Sequence, residues 1–352
     1  MAYCARATTA AAWRVGVAAA AALAVGEAAL AQPGSDGHDW VTIGAVNNPA
    51  YDRADPRGYV TGRGSVAYEY KIGRTEVTTA QWMEFYNAAL GRAEPLLINL
   101  PTPIRWGAVQ DFSYDGPGIR YKLGTRASAA MIPVSGVDWR TSAVLCNWLH
   151  NGKSMEAAAF LDGAYDTSTF GYSAPGVFTD QPAHHPGARY WVPTVDEWVK
   201  AVHYDPAKDA GAGGWWLYPH GSDVIPAYGL PGVGEANAGF SLPGAAQHWI
   251  PLGAYPDSLT PWGLLDAAGA NMEWLESIRI VNEPTMNRGI DGSFLGAGGA
   301  GGDLMSDVGT SQPTLRATFT GFRLAAIVPA PGSCILGLAA GLVSTRRTQN
   351  RS

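Results

Sequence analysis

YPDSLTPWGLLDAAGANMEW, residues 255–274, is the one stretch of the chain where acidic side chains, tight-turn residues and bulky aromatics converge. Asp266 and Glu273 are separated by AAGANM, too short and too glycine-rich for a helix, so the backbone must turn and can bring both carboxylates to one point. Two carboxylates alone would repel. A hard divalent cation removes that repulsion, and calcium accepts six to eight oxygens from carboxylates and inward-pointing carbonyls. The opposing reading makes Asp266 a turn residue and Glu273 a solvated charge on a strand.

GLLDAAGANMEW also resembles the GLYDMxGNVWEW segment of the formylglycine-generating enzyme family, the sulfatase-modifying factor domain. That resemblance implies an α+β, loop-rich, C-type-lectin-like fold of antiparallel sheets with a few short helices. It also implies a calcium site in which Asp266 and Glu273 bind through side chains and Gly269 and Asn271 through backbone carbonyls. Ala267, Ala270, Asn271 and Met272 depart from the family's Met, Asn, Val and Trp, and none of these changes removes a ligating group. Asn237 and Ala238 correspond to a second calcium site in relatives. The loop from Asn237 to Pro251 carries no Asp or Glu, so that second site lacks its carboxylate and is expected to be lost.

Further motifs extend the resemblance from about Trp40 to Ala325. WVTIG (40–44) and SVAYEYKIG (65–73) alternate as half-buried strands. Thr78 with Gln81 forms a capping box, and Trp82, Phe85, Tyr86 and Ala89 fall on one helical face; EVTTAQWMEFYN is similar to the family's EVTNxQYxxF. Residues 96–131 read as loop with short strands. PVSGVDWRTSAVLCNWLHNG resembles PVxxVSWxDAxxYCxWL and predicts a second helix with Val144, Leu145, Trp148 and Leu149 inward and Gly152 near its stop. Cys146 beside that stripe reads as a small buried apolar side chain. RYWVPTVDEWVKA resembles RLPTExEWExA and gives a second capping box, Thr194 with Glu197. His184 and His185 are adjacent, so on an extended segment they face opposite ways and chelate poorly. RGIDGSFLG resembles RGGSW, and TGFRLA (320–325) the closing GFR strand, with Arg323 expected as a structural ion-pair partner.

The ends point to export. Arg6 and Arg14, an apolar run from Val15 to Val25 and Ala29-Leu30-Ala31 make residues 1–31 a signal peptide, the run being about half of the roughly 20 residues a span needs. Residues 328–352 resemble the PEP-CTERM sorting tail of exported bacterial proteins, with Ala330 in place of Glu and a basic end at Arg346, Arg347 and Arg351. Between them, residues 37–327 form the sulfatase-modifying-factor-like domain. The expected location is the periplasm, cell surface or extracellular matrix of a bacterium, and the tail's partner is sorting machinery. With 44 Gly, 24 Pro, 13 Trp and only 15% charged residues, the chain is loop-rich and neither disordered nor collagen-like. A net charge of −6 without a basic run in the mature region argues against a nucleic-acid partner.

In active relatives two cysteines after the RGGSF segment bind copper(I) as thiolates and activate dioxygen. Counting on from Ser293 and Phe294 places those positions at Gly296 and Gly301, which cannot ligate. Of the three cysteines, Cys4 lies in the signal and Cys334 in the tail, leaving Cys146. The resemblance therefore implies no copper and no catalytic residue. The reading is a non-catalytic domain on a calcium-stabilised scaffold that binds an envelope polysaccharide, peptide or surface protein. The alternatives are a formylglycine-generating oxidase, another enzyme using the same groove, or a purely structural envelope component.

Overall fold

Two capping boxes anchor the helical part of the fold where the sequence puts them. In the computed structural model, which describes residues 36–55, 59–239, 243–280, 286–294 and 302–329, helix α1 (Thr79–Ala89) starts behind Thr78, and helix α3 (Val195–His203) behind Thr194. In each, the cap hydroxyl accepts from the third helical N–H, and the side chain of Gln81 or Glu197 returns to the cap N–H. Helix α2 (Trp139–His150) is capped by Asp138, whose carboxylate accepts from Thr141 N–H. The expected signal peptide, the tail from residue 330 onward, Gly296 and Gly301 lie outside the described residues.

The expected aromatic stripe is the core. Trp82 and Phe85 are fully buried, meet edge to face at 5.2 Å, and Trp82 meets Phe322 at 6.0 Å. Burying each such side chain stabilises the fold by about 1.5–3 kcal/mol. Val144, Leu145, Trp148 and Leu149 are buried as read from the sequence, and so is Cys146.

Two four-stranded sheets frame the helices. The first runs β1 (Trp40–Ile43), β2 (Tyr70–Gly73), β8 (Ala325–Ile327), β3 (Tyr190–Trp191), antiparallel throughout, so the first and last strands of the domain share one sheet with β2 between them. The second runs β6 (Gly309–Ser311), β5 (Met286–Asp291), β4 (Met272–Ile280), β7 (Thr320–Gly321), and only the β4–β7 pair is parallel. Further two-stranded hairpins and short helical turns complete the mixed α+β architecture. No helix among the described residues is long and apolar enough to cross a membrane.

One detail differs from the sequence reading. Residues 65–69 alternate like a strand but are not one, because the buried amide of Asn48 takes their backbone: Asn48 Oδ1 accepts from Val66 N–H at 3.2 Å, and Asn48 Nδ2 donates to Gly64 carbonyl at 2.8 Å. The loop 96–131 holds a short hairpin, Ala108–Gln110 against Tyr121–Leu123, and Asn87 of α1 ties it down by bonding both N–H and carbonyl of Tyr121.

Candidate functional site

The segment from Asp266 to Glu273 turns as its composition requires. Asp266 (φ 55°), Gly269 (φ 82°) and Ala270 (φ 53°) all occupy the left-handed region. The turn is held from outside. Ala270 N–H donates to Asn237 Oδ1 at 2.7 Å, Gly269 N–H to Ser293 Oγ at 2.7 Å, and Gly253 N–H to Asp266 Oδ2 at 2.7 Å. A Cβ at Gly269 would collide with the Asn237 carboxamide, so glycine is needed there for space as well as for φ. Asn237, read above as the remnant of a second cation site, instead supports this turn.

Glu273 is the second residue of β4, and both of its carboxylate oxygens are occupied. Arg323 Nη2 reaches Oε1 at 2.6 Å, Arg323 Nε reaches Oε2 at 2.6 Å, and the Trp198 indole N–H donates to Oε2 at 2.9 Å. The pair is sealed from water, with side chains 0% and 1% exposed. Arg323 also donates to the carbonyls of Gly73 and Arg74 and of Leu265, stitching β2, the central turn and the closing segment together. Beside the pair, Glu76 accepts from the Asn271 N–H at 3.0 Å and from its amide at 2.5 Å. Burial pushes the Glu76 carboxyl well up, and the neighbouring Glu273 pushes it further, against the pull of the Asn271 donors and Arg323.

This geometry bears on the calcium expectation for Asp266, Gly269, Asn271 and Glu273. Calcium is attracted by free anionic oxygen, yet Glu273 is already neutralised by an arginine that stands on the same backbone. Asp266 remains as the one unpaired anion of the four positions, and burial pushes its carboxyl up to about 6, which opposes ionisation. Among the described residues no group of three His, Cys, Asp or Glu could hold a metal ion. The donor set therefore does not fit a tightly held calcium. Chelation is expected to leave the melting temperature of the purified domain unchanged; a drop of several degrees that Asp266→Ala abolishes would contradict this.

A second buried acidic pair was not legible from spacing. Asp291, at the end of β5, and Asp303 are 3% and 2% exposed. Asp291 Oδ1 accepts from Gly292 N–H and Asp303 Oδ2 from the Tyr228 hydroxyl at 2.9 Å, while Asp291 Oδ2 and Asp303 Oδ1 are without partners. Burial pushes Asp303 up to about 6, against the pull of Ser293 and Tyr228. It pushes Asp291 well above the ordinary carboxylate range, with Glu273 and Asp303 adding to the effect.

His184 is tied down by tertiary contacts. Its Nδ1 sits 2.9 Å from Glu276 Oε1, its ring stacks on Trp191 at 4.6 Å, and the Tyr165 hydroxyl donates to the same Glu276 oxygen at 2.8 Å. The residues are 92 apart in sequence, so no local signal announces the pair. His203 is fully buried, and burial holds it down at about 3, so it stays a neutral core group.

The geometry of the two sheets, the capped helices and the buried Glu273–Arg323 centre can be set beside known proteins. No curated protein matches the chain in sequence. Three solved structures align along most of the chain: CarF, with a TM-score of 0.50 at 17% identity over 83% of this chain and 99% of that one; Treponema denticola variable protein 1, with 0.48 at 18% identity over 82% and 95%; and PvdO from Pseudomonas aeruginosa, with 0.43 at 17% identity over 83% and 92%. At that identity the CarF likeness speaks for the fold alone. The family model described as the sulfatase-modifying factor enzyme 1-like domain matches residues 42–327, which hold the central ion pair and both sheets but for the first two residues of β1, and the chain belongs to that family.

Proposed function

We propose that this protein is a binding member of its family, exported to the bacterial envelope or matrix, where the domain holds a surface polysaccharide instead of performing copper-dependent oxidation. The observation that carries this reading is the state of Cys146. Its thiol is fully buried in the core face of α2, and burial, with the nearby Glu276 charge, pushes its pKa well above the ordinary value. Copper(I) is held by paired, deprotonated sulfur, and a buried neutral thiol without a neighbour supplies neither the charge nor the second ligand. Cys4 and Cys334 belong to the expected signal and tail, outside the domain that the family match covers.

The scaffold of the described residues supports this reading. Helices opened by capping boxes, an arginine-neutralised centre and a turn pinned by Asn237 and Ser293 give a stable frame for loops. The test is direct. Incubation of the mature domain with copper(I), dioxygen and a sulfatase-type cysteine peptide is expected to leave the peptide mass unchanged. Formation of formylglycine would overturn the proposal and restore the oxidase.

A further inference from the structure

One face of the molecule carries rings and cations together. Phe294 stacks on Phe319 with centroids 4.6 Å apart and planes 19° apart, and His248 stacks on Phe319 at 6.0 Å and 18°. The Arg105 guanidinium lies 5.8 Å from the Phe319 ring centre, and that of Arg126 lies 4.3 Å from the ring centre of Trp249, which is 38% exposed. Arg316 joins from the other side. It donates to the carbonyls of Thr102 and Gly136, and the backbone of Arg105 pairs with that of Ser135 next to Gly136.

Seven cations elsewhere, Arg63, Arg74, Lys122, Arg140, Lys153, Lys208 and Arg323, each meet a carboxylate. Among the described residues no carboxylate comes within 4.0 Å of Arg105, Arg126 or Arg316. Asp138, which feels the Arg316 charge, is a buried helix cap whose oxygen is committed to Thr141. Burial and the Arg105 charge hold His248 below its ordinary value, so its ring joins the stack as a neutral, flat surface.

We propose that this face is a binding site for an acidic polysaccharide, with sugar rings lying on Phe319, His248 and Trp249 and their carboxylates paired to Arg105, Arg126 and Arg316. The chemistry is complementary on both counts. The C–H faces of a pyranose pack on aromatic rings, and a guanidinium presents a planar fork of donors that fits a carboxylate in a bidentate pair. The protein's net charge of −6 does not forbid this, because charges beyond about 8 Å are largely screened at physiological ionic strength while the three local guanidiniums are not. The proposal rests on the polysaccharide-binding reading above and deepens it to one charge class and one face.

The experiment measures binding of the purified mature domain to alginate oligosaccharides, to their carboxyl-reduced counterparts and to poly-glutamate, at low and high salt. Alginate is expected to bind, more weakly as salt rises, with the reduced sugar and poly-glutamate at least about tenfold weaker. Arg126→Gln and Trp249→Ala, both on exposed residues, are each expected to weaken alginate about tenfold with unchanged melting temperature. Lys122→Gln, on a paired surface lysine, is expected to change nothing. Alginate binding untouched by Arg126→Gln and Trp249→Ala overturns this site while leaving the polysaccharide reading intact. Tight binding of the reduced sugar does the same for the charge class. Poly-glutamate binding as tightly as alginate overturns the sugar as ligand, and binding to none of the three probes overturns the site.

Discussion

Arg323→Met is expected to destabilise the domain by about 3–5 kcal/mol, the cost of leaving a buried carboxylate without its cation. Glu273 would keep only the Trp198 indole as a partner, in a site that admits no water. Arg323 would also abandon the carbonyls of Gly73, Arg74 and Leu265, so the connection between the first sheet and the central turn would loosen. In a domain of this length the loss corresponds to a fall in melting temperature of roughly 10 °C. The companion variant is Glu273→Gln with Arg323→Met. Replacing both charges removes the stranded ion, so the double variant is expected to be more stable than Arg323→Met alone, and a thermodynamic cycle in urea measures the coupling. Additive losses would mean that the two side chains do not depend on one another.

Asp303 makes the opposite prediction: its removal stabilises. The Asp303 carboxyl is pushed up to about 6 in the fold from its ordinary 3.8. Below the ordinary value both folded and unfolded chains hold the proton, and the side chain costs nothing. As pH rises toward 6 the unfolded chain ionises while the fold must keep a proton or bury a charge, so stability is lost across that window and the loss levels off above it. The difference amounts to about 3 kcal/mol at pH 8. Asp303→Asn keeps an acceptor for the Tyr228 hydroxyl without the ionisation. It is expected to melt higher than wild type at pH 8 and equally at pH 3.5. A variant less stable than wild type at pH 8 would show that the charged form of Asp303 supports the fold.

The parts of the fold legible in the sequence were those written locally. Thr78 with Gln81 and Thr194 with Glu197 are three residues apart, and both boxes form as spelled. The helical stripes of α1 and α2 bury the residues their period selects, Cys146 among them. The turn between Asp266 and Glu273 was equally readable, because few residue types tolerate a left-handed backbone in so short a span. What the sequence could not pair was charge. Arg323 reads as an ion-pair partner from its place in the closing motif, but its carboxylate lies 50 residues back, and a carboxylate awaiting an arginine looks the same on paper as one awaiting a metal ion. His184 with Glu276, and the Asp291 and Asp303 pair, depend on tertiary approach and leave no periodic trace. The loop 65–69 misled for a different reason: its alternation is real, yet the Asn48 side chain captures the backbone groups that a neighbouring strand would have used.

The guanidinium of Arg323 arrives with the chain itself. Its concentration at the centre is fixed by covalent tethering, so assembly is a unimolecular event with no uptake step to wait for. A domain built this way completes its central ion pair without drawing on any dissolved cation.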